Sequence, residues 1–495
     1  MNLSKSLYTK GIQCPKALWL KKYKKEVLTA PDDSALARFE TGNVVGELAC
    51  KLFPNGVEIA YTTDFTSMIE QTTQYIKNGM RYIYEATFSF DGILVLVDVL
   101  EINEDSSISI YEVKSSSSVK DIYVHDTSIQ YYVLSQLGFV VKTANVVHIN
   151  SNYVRGDKLE LDELFSIADI TDEVVALQEK IPTILKEFET LLEDKINEPD
   201  IDIGSHCKKP YECDAKEYCW KTQREIPEYS IFNIFNLGSK KQIELYSQGI
   251  KKIEDIPSGF AMTTNQKLAV ETFKSQETFI DKEKIKEFVD TLSYPVYHLD
   301  FETFQQSIPE YKGISPYQQI PFQYSIHIEQ KDGTVTHKEY LSLDGIDPRE
   351  EIAKRLVEDI PSDVTVLAYN MSFEKGVIKK LSDLYPIFSR QLLSINENMK
   401  DLMVPFQKKY YVKPDMNGSY SIKYVLPALV PEFAKAYKEL DGVQNGTQAM
   451  NAFANMSKMN EHEKKKMRTS LIEYCKLDTL AMVKILNKLK VMISC

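Results

Sequence analysis

Two sets of carboxylates in this chain have the spacing of metal-dependent phosphodiester chemistry. The first is Asp98 with the run Glu112-Val113-Lys114. The second is Asp300-Phe301-Glu302, answered near the C-terminus by Tyr474-Cys475-Lys476-Leu477-Asp478. Carboxylate oxygens are hard donors and suit Mg²⁺ or Mn²⁺. Such a cation activates water and offsets charge on a phosphoryl oxygen. A lysine two residues past a carboxylate can orient that water or neutralise charge developing on the phosphate. The seven cysteines form a third set. An odd count argues for metal or free thiols over disulfides. Cys207, Cys213 and Cys219 are evenly spaced beside His206, with Pro210 turning the chain, and Cys14 lies far upstream. Four thiolates suit zinc, although the two-residue knuckles common in zinc sites are absent. Cys50, Cys475 and Cys495 read as plain core or terminal thiols.

The elements that must position these groups follow from the apolar pattern. Residues 93–100 and 108–113 read as strands about a polar turn at 103–107. Side chains at i and i+2 of a strand share a face, so Glu112 and Lys114 point the same way. Antiparallel pairing about Asp105 sets Asp98 opposite Glu112, with Cβ atoms about 5 Å apart. Asp98 interrupts an apolar run, which is costly unless it is paired or liganded. Helices are expected around these strands at 34–52, 128–138 and 172–198. Strand signal returns at 294–299, 323–328 and 364–369. Asp300 and Glu302 end the first of these and share a face. Tyr369 to Glu374 reads as a strand end running into a helix. Tyr474 and Asp478, four apart on an amphipathic helix over 461–491, lie one above the other. The fold class is α/β.

The spacing of Asp98, Glu112 and Lys114 resembles the PD-(D/E)XK nuclease superfamily, in particular its RecB-like branch, which includes CRISPR-associated RecB-like exonucleases. Gly42-Asn43-Val44-Val45-Gly46-Glu47 is similar to that branch's first helix motif. The resemblance implies a metal ligand at Glu47, where the branch often has histidine. Gln130-Tyr131-Tyr132 resembles the branch's helical glutamine motif, at a shorter spacing, and implies a site role for Gln130. One cysteine before the nuclease core and three after it is the layout of the iron–sulfur members. It implies that Cys14, Cys207, Cys213 and Cys219 ligate a 4Fe-4S cluster stapling the two ends of the domain. The C-terminal order resembles the DEDD exonucleases of the ribonuclease H-like fold, in their tyrosine subtype. This implies that Asp300, Glu302, Asp478 and an acid of the middle motif hold two metal ions, with Tyr474 positioning the attacking water. The middle motif normally ends in aspartate; here it ends in Glu374, and Asp401 competes for the role. The combination is similar to bacterial proteins that fuse these two domains.

At 495 residues the chain exceeds one ordinary core. The expected division is a RecB-like domain over 1–225, a helical connector over 226–289 and a ribonuclease H-like domain over 290–495. Within the connector, 236–251 faintly resembles a helix–hairpin–helix, and a plain helical linker is the alternative. Hydrophobic content of 43% and charged content of 26% fit a globular protein. A net charge of −12 argues against holding nucleic acid by bulk charge. Lys16, Lys21, Lys22, Lys24 and Lys25 around Trp19 and Tyr23 offer either local phosphate contacts or a solvated helix face. No apolar run spans a bilayer and the first twenty residues lack a signal-type apolar stretch, so a cytoplasmic location is expected. The expected function is a metal-dependent nuclease acting on DNA before RNA. The alternatives are an RNA-degrading enzyme in which only the C-terminal site works, and a non-catalytic nucleic-acid adaptor in defence or repair.

Overall fold

The protein is described from a computed structural model covering residues 2–494, so Cys495 lies outside the described residues. The chain divides into two compact units, each a mixed α/β fold. The first takes residues 1–225 with 306–318, and the second takes 226–305 with 319–495. Residues 226–289 therefore belong to the second unit.

The first unit is built on a seven-stranded sheet. Its strands are β1 (Leu3–Ser4), β2 (Val57–Glu58), β3 (Tyr82–Phe90), β4 (Ile93–Ile102), β5 (Ile108–Lys114), β6 (Val141–Ile149) and β7 (Phe165–Asp169). The order is β2-β3-β4-β5-β6-β7, with β1 parallel beside β4. The two-residue turn Asp91-Gly92, both at positive φ, joins β3 to β4 as a tight hairpin. Along β4, Ile93, Val95 and Val97 are buried in the main core, Val99 is buried in a second cluster with Tyr82, Tyr84 and Tyr111, and Asp98 between them is half-buried. Helices α1 (Lys5–Gln13), α2 (Pro15–Tyr23), α3 (Asp33–Ala49), α4 (Phe65–Lys77) and α5 (Asp121–Gln136) pack around the sheet. The last of these carries the crossover from β5 to the parallel β6. It begins seven residues before the helix expected at 128. The helix expected over 172–198 is two, Thr171–Gln178 and Ile181–Glu193, because Pro182 in the first turn of the second cannot donate a helical N–H.

The second unit is built on a five-stranded sheet of order β11-β10-β9-β12-β13. A two-residue strand, β8 (Phe279–Ile280), precedes it and pairs outside it with β14 (Tyr411–Val412). The five are β9 (Val296–Phe304), β10 (Ile320–Glu329), β11 (Val335–Leu341), β12 (Thr365–Ala368) and β13 (Met399–Asp401). The first three are antiparallel, and β12 and β13 run parallel to β9. All ten residues of β10 are buried. The helix Glu461–Ser494 covers one face, its apolar stripe running through Leu471, Met482, Ile485, Leu486 and Leu489. The helices Arg349–Asp359, Ser372–Leu384 and Pro386–Glu397 bury the opposite core around Phe301, Ile326 and Ile378. Residues 226–289 add helices Ser239–Ser247 and Thr264–Ser275 around a small core of Ile231, Leu237, Leu245, Ile253 and Val270. Among the described residues no helix is long and apolar enough to cross a membrane.

Candidate metal and cluster sites

In the first unit the hairpin register runs Val99↔Tyr111 through Ile102↔Ile108, so Asp98 falls opposite Glu112. There the backbone N–H of Val113 donates to Asp98 Oδ2 at 2.7 Å. Glu112, only 2% exposed, accepts from Lys114 Nζ at 2.5 Å and Gln130 Nε2 at 2.7 Å. Lys114 also donates to Asp126 Oδ2 at 2.7 Å. Thus strand and helix bring Asp98, Glu112, Lys114 and Gln130 together. Two partners were not read from the sequence. Asp126 sits one turn before Gln130 on α5. Lys5, first residue of α1, donates to both oxygens of Glu112 at 3.0 and 2.9 Å and lies 3.5 Å from Asp98. The parallel pairing of β1 with β4 and the Ser4 N-cap hold Lys5 there. Glu47 does not join the group: it is exposed on α3 and has no polar partner among the described residues.

Electrostatics divide these acids. Burial alone would raise Glu112, but Lys114 and Lys5 overcome it and hold the carboxyl well below its usual range. Asp98 is raised, by burial and by Glu112. Asp126 is pushed up to about 6 by burial and Glu112. Glu85, on β3, is pushed up to about 7 by burial and Asp98. As a divalent-cation site, Asp98 fits, with one oxygen nearly free. Glu112 fits poorly, since each of its oxygens already accepts two hydrogen bonds.

Cys14, Cys207, Cys213 and Cys219 line one recess, with Lys16, His206 and Ala215 between them. All four are free thiols. Burial raises Cys213 and Cys219 to about 11. No three of these sulfurs lie within 4.8 Å of one another, whereas Asp300, Glu302 and Asp478 do. Tetrahedral zinc with bonds of ~2.3 Å holds its sulfurs closer than this.

In the second unit Asp300 and Glu302 sit on β9, two apart and on one face. Asp478 meets them from the C-terminal helix, and one oxygen from each lies within 4.8 Å of the others. Burial and then Asp478 push both Asp300 and Glu302 well above the usual carboxylate range. Asp478 is raised by burial to about 6, while hydrogen bonds from Tyr437 and Tyr474 work against the rise. Three carboxylates this close, Glu302 buried and Asp300 and Asp478 half-buried, fit a divalent cation. Glu374 is 3% exposed, and its Oε2 is buried without a partner. It is pushed up to about 8, by burial first. Asp401 instead spends both oxygens on the backbone, accepting from Asn370, Met371 and Met403 N–H at 2.9–3.2 Å. It braces the turn that presents Glu374.

Several further groups here escaped the sequence reading. Tyr437 donates to Asp478 Oδ1 at 2.6 Å. Exposed Lys423 has no ion pair among the described residues, yet its charge acts on Glu302 and Asp478. At Gly446, first residue of the helix Gly446–Asn455, an added Cβ would lie 3.8 Å from Glu302 Oε2 and 4.0 Å from Tyr474 Oη. That helix is anchored by Phe453 stacking on Phe322, with centroids 4.1 Å apart. None of these belongs to a local motif, so spacing gave no signal.

Residues 297–421 match a family described as a domain of unknown function (DUF2779). The match includes Asp300, Glu302, Glu374 and Asp401 and stops short of Tyr474 and Asp478. The chain is similar to an uncharacterized protein of Ureaplasma parvum, 28% identical over 240 residues, covering 45% of this chain and 34% of that protein. It is also similar to an uncharacterized protein of Mycoplasma genitalium, 26% identical over 251 residues, covering 46% of this chain and 37% of that protein. The chain thus spans about a third of the length of the curated relatives it matches.

Proposed function

We propose that this protein is a metal-dependent nuclease, acting on DNA before RNA, with exonucleolytic hydrolysis centred on Asp300, Glu302 and Asp478. The observation that carries the reading is that triad: three carboxylates, Glu302 buried and the other two half-buried, converging within 4.8 Å, next to Tyr474 and Glu374. The strand order of the second sheet is the one expected of a ribonuclease H-like fold and supports it. In the first unit, the β3-β4-β5 meander followed by α5 and parallel β6 supports the PD-(D/E)XK resemblance.

Bound at the triad, Mg²⁺ or Mn²⁺ would supply Lewis acidity to the attacking water and the leaving oxygen. The chain's own groups do the rest. Asp300 and Glu302 hold a fixed spacing because the strand holds them. Tyr474 offers a hydroxyl for orienting water, and Tyr437 fixes the rotamer of Asp478. Lys423 faces the acids from outside, where a scissile phosphate would approach. In the first unit Lys114 is the group aimed at phosphate or water, and the four cysteines would hold a 4Fe-4S cluster in a structural role.

One observation favours a second reading in which only the C-terminal site cuts: the hydrogen-bond acceptors of Glu112 are all taken. End-labelled single-stranded DNA, duplex DNA and RNA, each with Mg²⁺ or Mn²⁺, test both readings on wild type, Asp300→Asn and Lys114→Ala. Cleavage lost in Asp300→Asn and kept in Lys114→Ala supports the second. No metal-dependent cleavage of any substrate by wild type overturns both and leaves the adaptor reading.

A further inference from the structure

The first site departs from the ligand set its motif implies. An ionised carboxylate offers about four lone-pair directions. Glu112 accepts four hydrogen bonds from three donors: Lys5 and Lys114 on Oε1, and Lys5 and Gln130 on Oε2. No direction is left for a cation. Asp98 has one oxygen bonded to Val113 N–H and the other only 3.5 Å from Lys5.

A second carboxylate does face Asp98. The pairs Tyr84↔Val99 and Ala86↔Val97 bracket Glu85, which puts it opposite Asp98 on the other flanking strand. Asp98 thus stands between Glu112 on β5 and Glu85 on β3. Residues directly opposite in an antiparallel pair have Cβ atoms about 5 Å apart, within reach of one shared cation. The carboxylate of Glu85 is half-buried and has no hydrogen-bond partner among the described residues. At Glu85 φ is +56°, inside a nine-residue strand, where a side chain with a Cβ is disfavoured and glycine is at home. Glu85, Asp98, Glu112 and Asp126 together face only two ammonium groups, Lys5 and Lys114.

We infer that the divalent cation of the first unit is held by Asp98 and Glu85, while Glu112 serves as a positioning residue that anchors Lys5 and Lys114. The inference rests on reading this unit as a metal site. It makes Glu85 the third acid of the motif in place of Glu47. Glu112 then acts through Lys114, fixing an ammonium beside the metal.

Mn²⁺ binding to the full chain tests this by titration calorimetry, in an Asp300→Asn background that silences the second site. Glu85→Gln and Asp98→Asn should each lower affinity by about tenfold or more, and Glu112→Gln by only a few-fold. Glu85→Gly should lose affinity equally and yet raise the melting temperature, because glycine relieves the positive φ. Wild-type affinity in Glu85→Gln, with affinity lost in Glu112→Gln, overturns the assignment and restores an Asp98–Glu112 centre. If Glu112→Gln does not fold, the comparison of Glu85→Gln with Asp98→Asn decides: equal losses support the inference, and an unaffected Glu85→Gln overturns it. A lower melting temperature in Glu85→Gly with Mn²⁺ affinity intact makes Glu85 a structural residue and overturns it too. If Asp98→Asn also binds Mn²⁺ as well as its parent, the metal reading of the whole unit falls, not only the role of Glu85.

Discussion

Asp478 is held by two phenols, and their roles separate by chemistry. Tyr437 donates to Asp478 at 2.6 Å and so orients the carboxylate proposed to hold the metal. Tyr437→Phe should therefore weaken Mn²⁺ affinity at the second site, by about 10-fold. Tyr474→Phe should leave affinity in place and slow turnover by about 10²-fold if the hydroxyl orients water. Calorimetry with single-turnover rates separates the two. Lys423→Ala should raise KM more than it lowers kcat and flatten the salt dependence of binding by about one charge, read from log Kd against log salt. Asp98, Glu112, Lys114 and Gln130 were legible because adjacent strands and the next helix obey fixed periods. Lys5 was not, since its contact with Asp98 spans 93 positions. Glu85 was not, because its backbone inversion is written in no pattern.

The helix Gly446–Asn455 brings an open glycine to Glu302, and one ring holds it there. Phe453 stacks on Phe322 and tilts against Phe304. Phe453→Ala should cost about 3–5 kcal/mol by denaturant unfolding. Activity of the second unit should fall with it, even where the protein remains folded. The recess of Cys14, Cys207, Cys213 and Cys219 acts on the opposite end of the chain. Anaerobically purified protein should be brown and contain iron, and Cys213→Ser should lose both colour and iron. Zinc without iron in metal analysis contradicts the cluster. At this scale most elements were legible from apolar period. β9 runs on through Asp300 and Glu302 to Phe304, because its buried partner β10 continues the ladder past the polar residues. The start of α5 was hidden, since residues 121–127 are mostly polar yet pack against the site. The connector reading missed that 226–289 brings apolar side chains enough for its own core, which helical period alone does not reveal.

Across the molecule, the raised carboxylates set an unusual stability profile. Glu85 titrates near 7 and Glu374 near 8, while Asp300 and Glu302 lie well above the usual range. Between pH 6.5 and 8 these groups hold protons in the folded chain and have lost them when unfolded. The folded state binds more protons, so stability falls as pH rises through this window. The buried histidines His298 and His327 and the half-buried His337 slope the other way, but only below about 6.5. Melting temperature in EDTA should therefore drop from pH 6.5 to 8, and Mn²⁺ at pH 8 should restore it. A flat profile in EDTA would mean that the acids are already compensated. The cysteine recess has a further consequence, for the chain as it is made. Cys14 and Cys219 are 205 positions apart. At ordinary rates of synthesis the ribosome needs about 10–40 s to travel between them. For that time Cys14, between the nascent α1 and α2, lacks the last side chain that lines its recess in the finished fold.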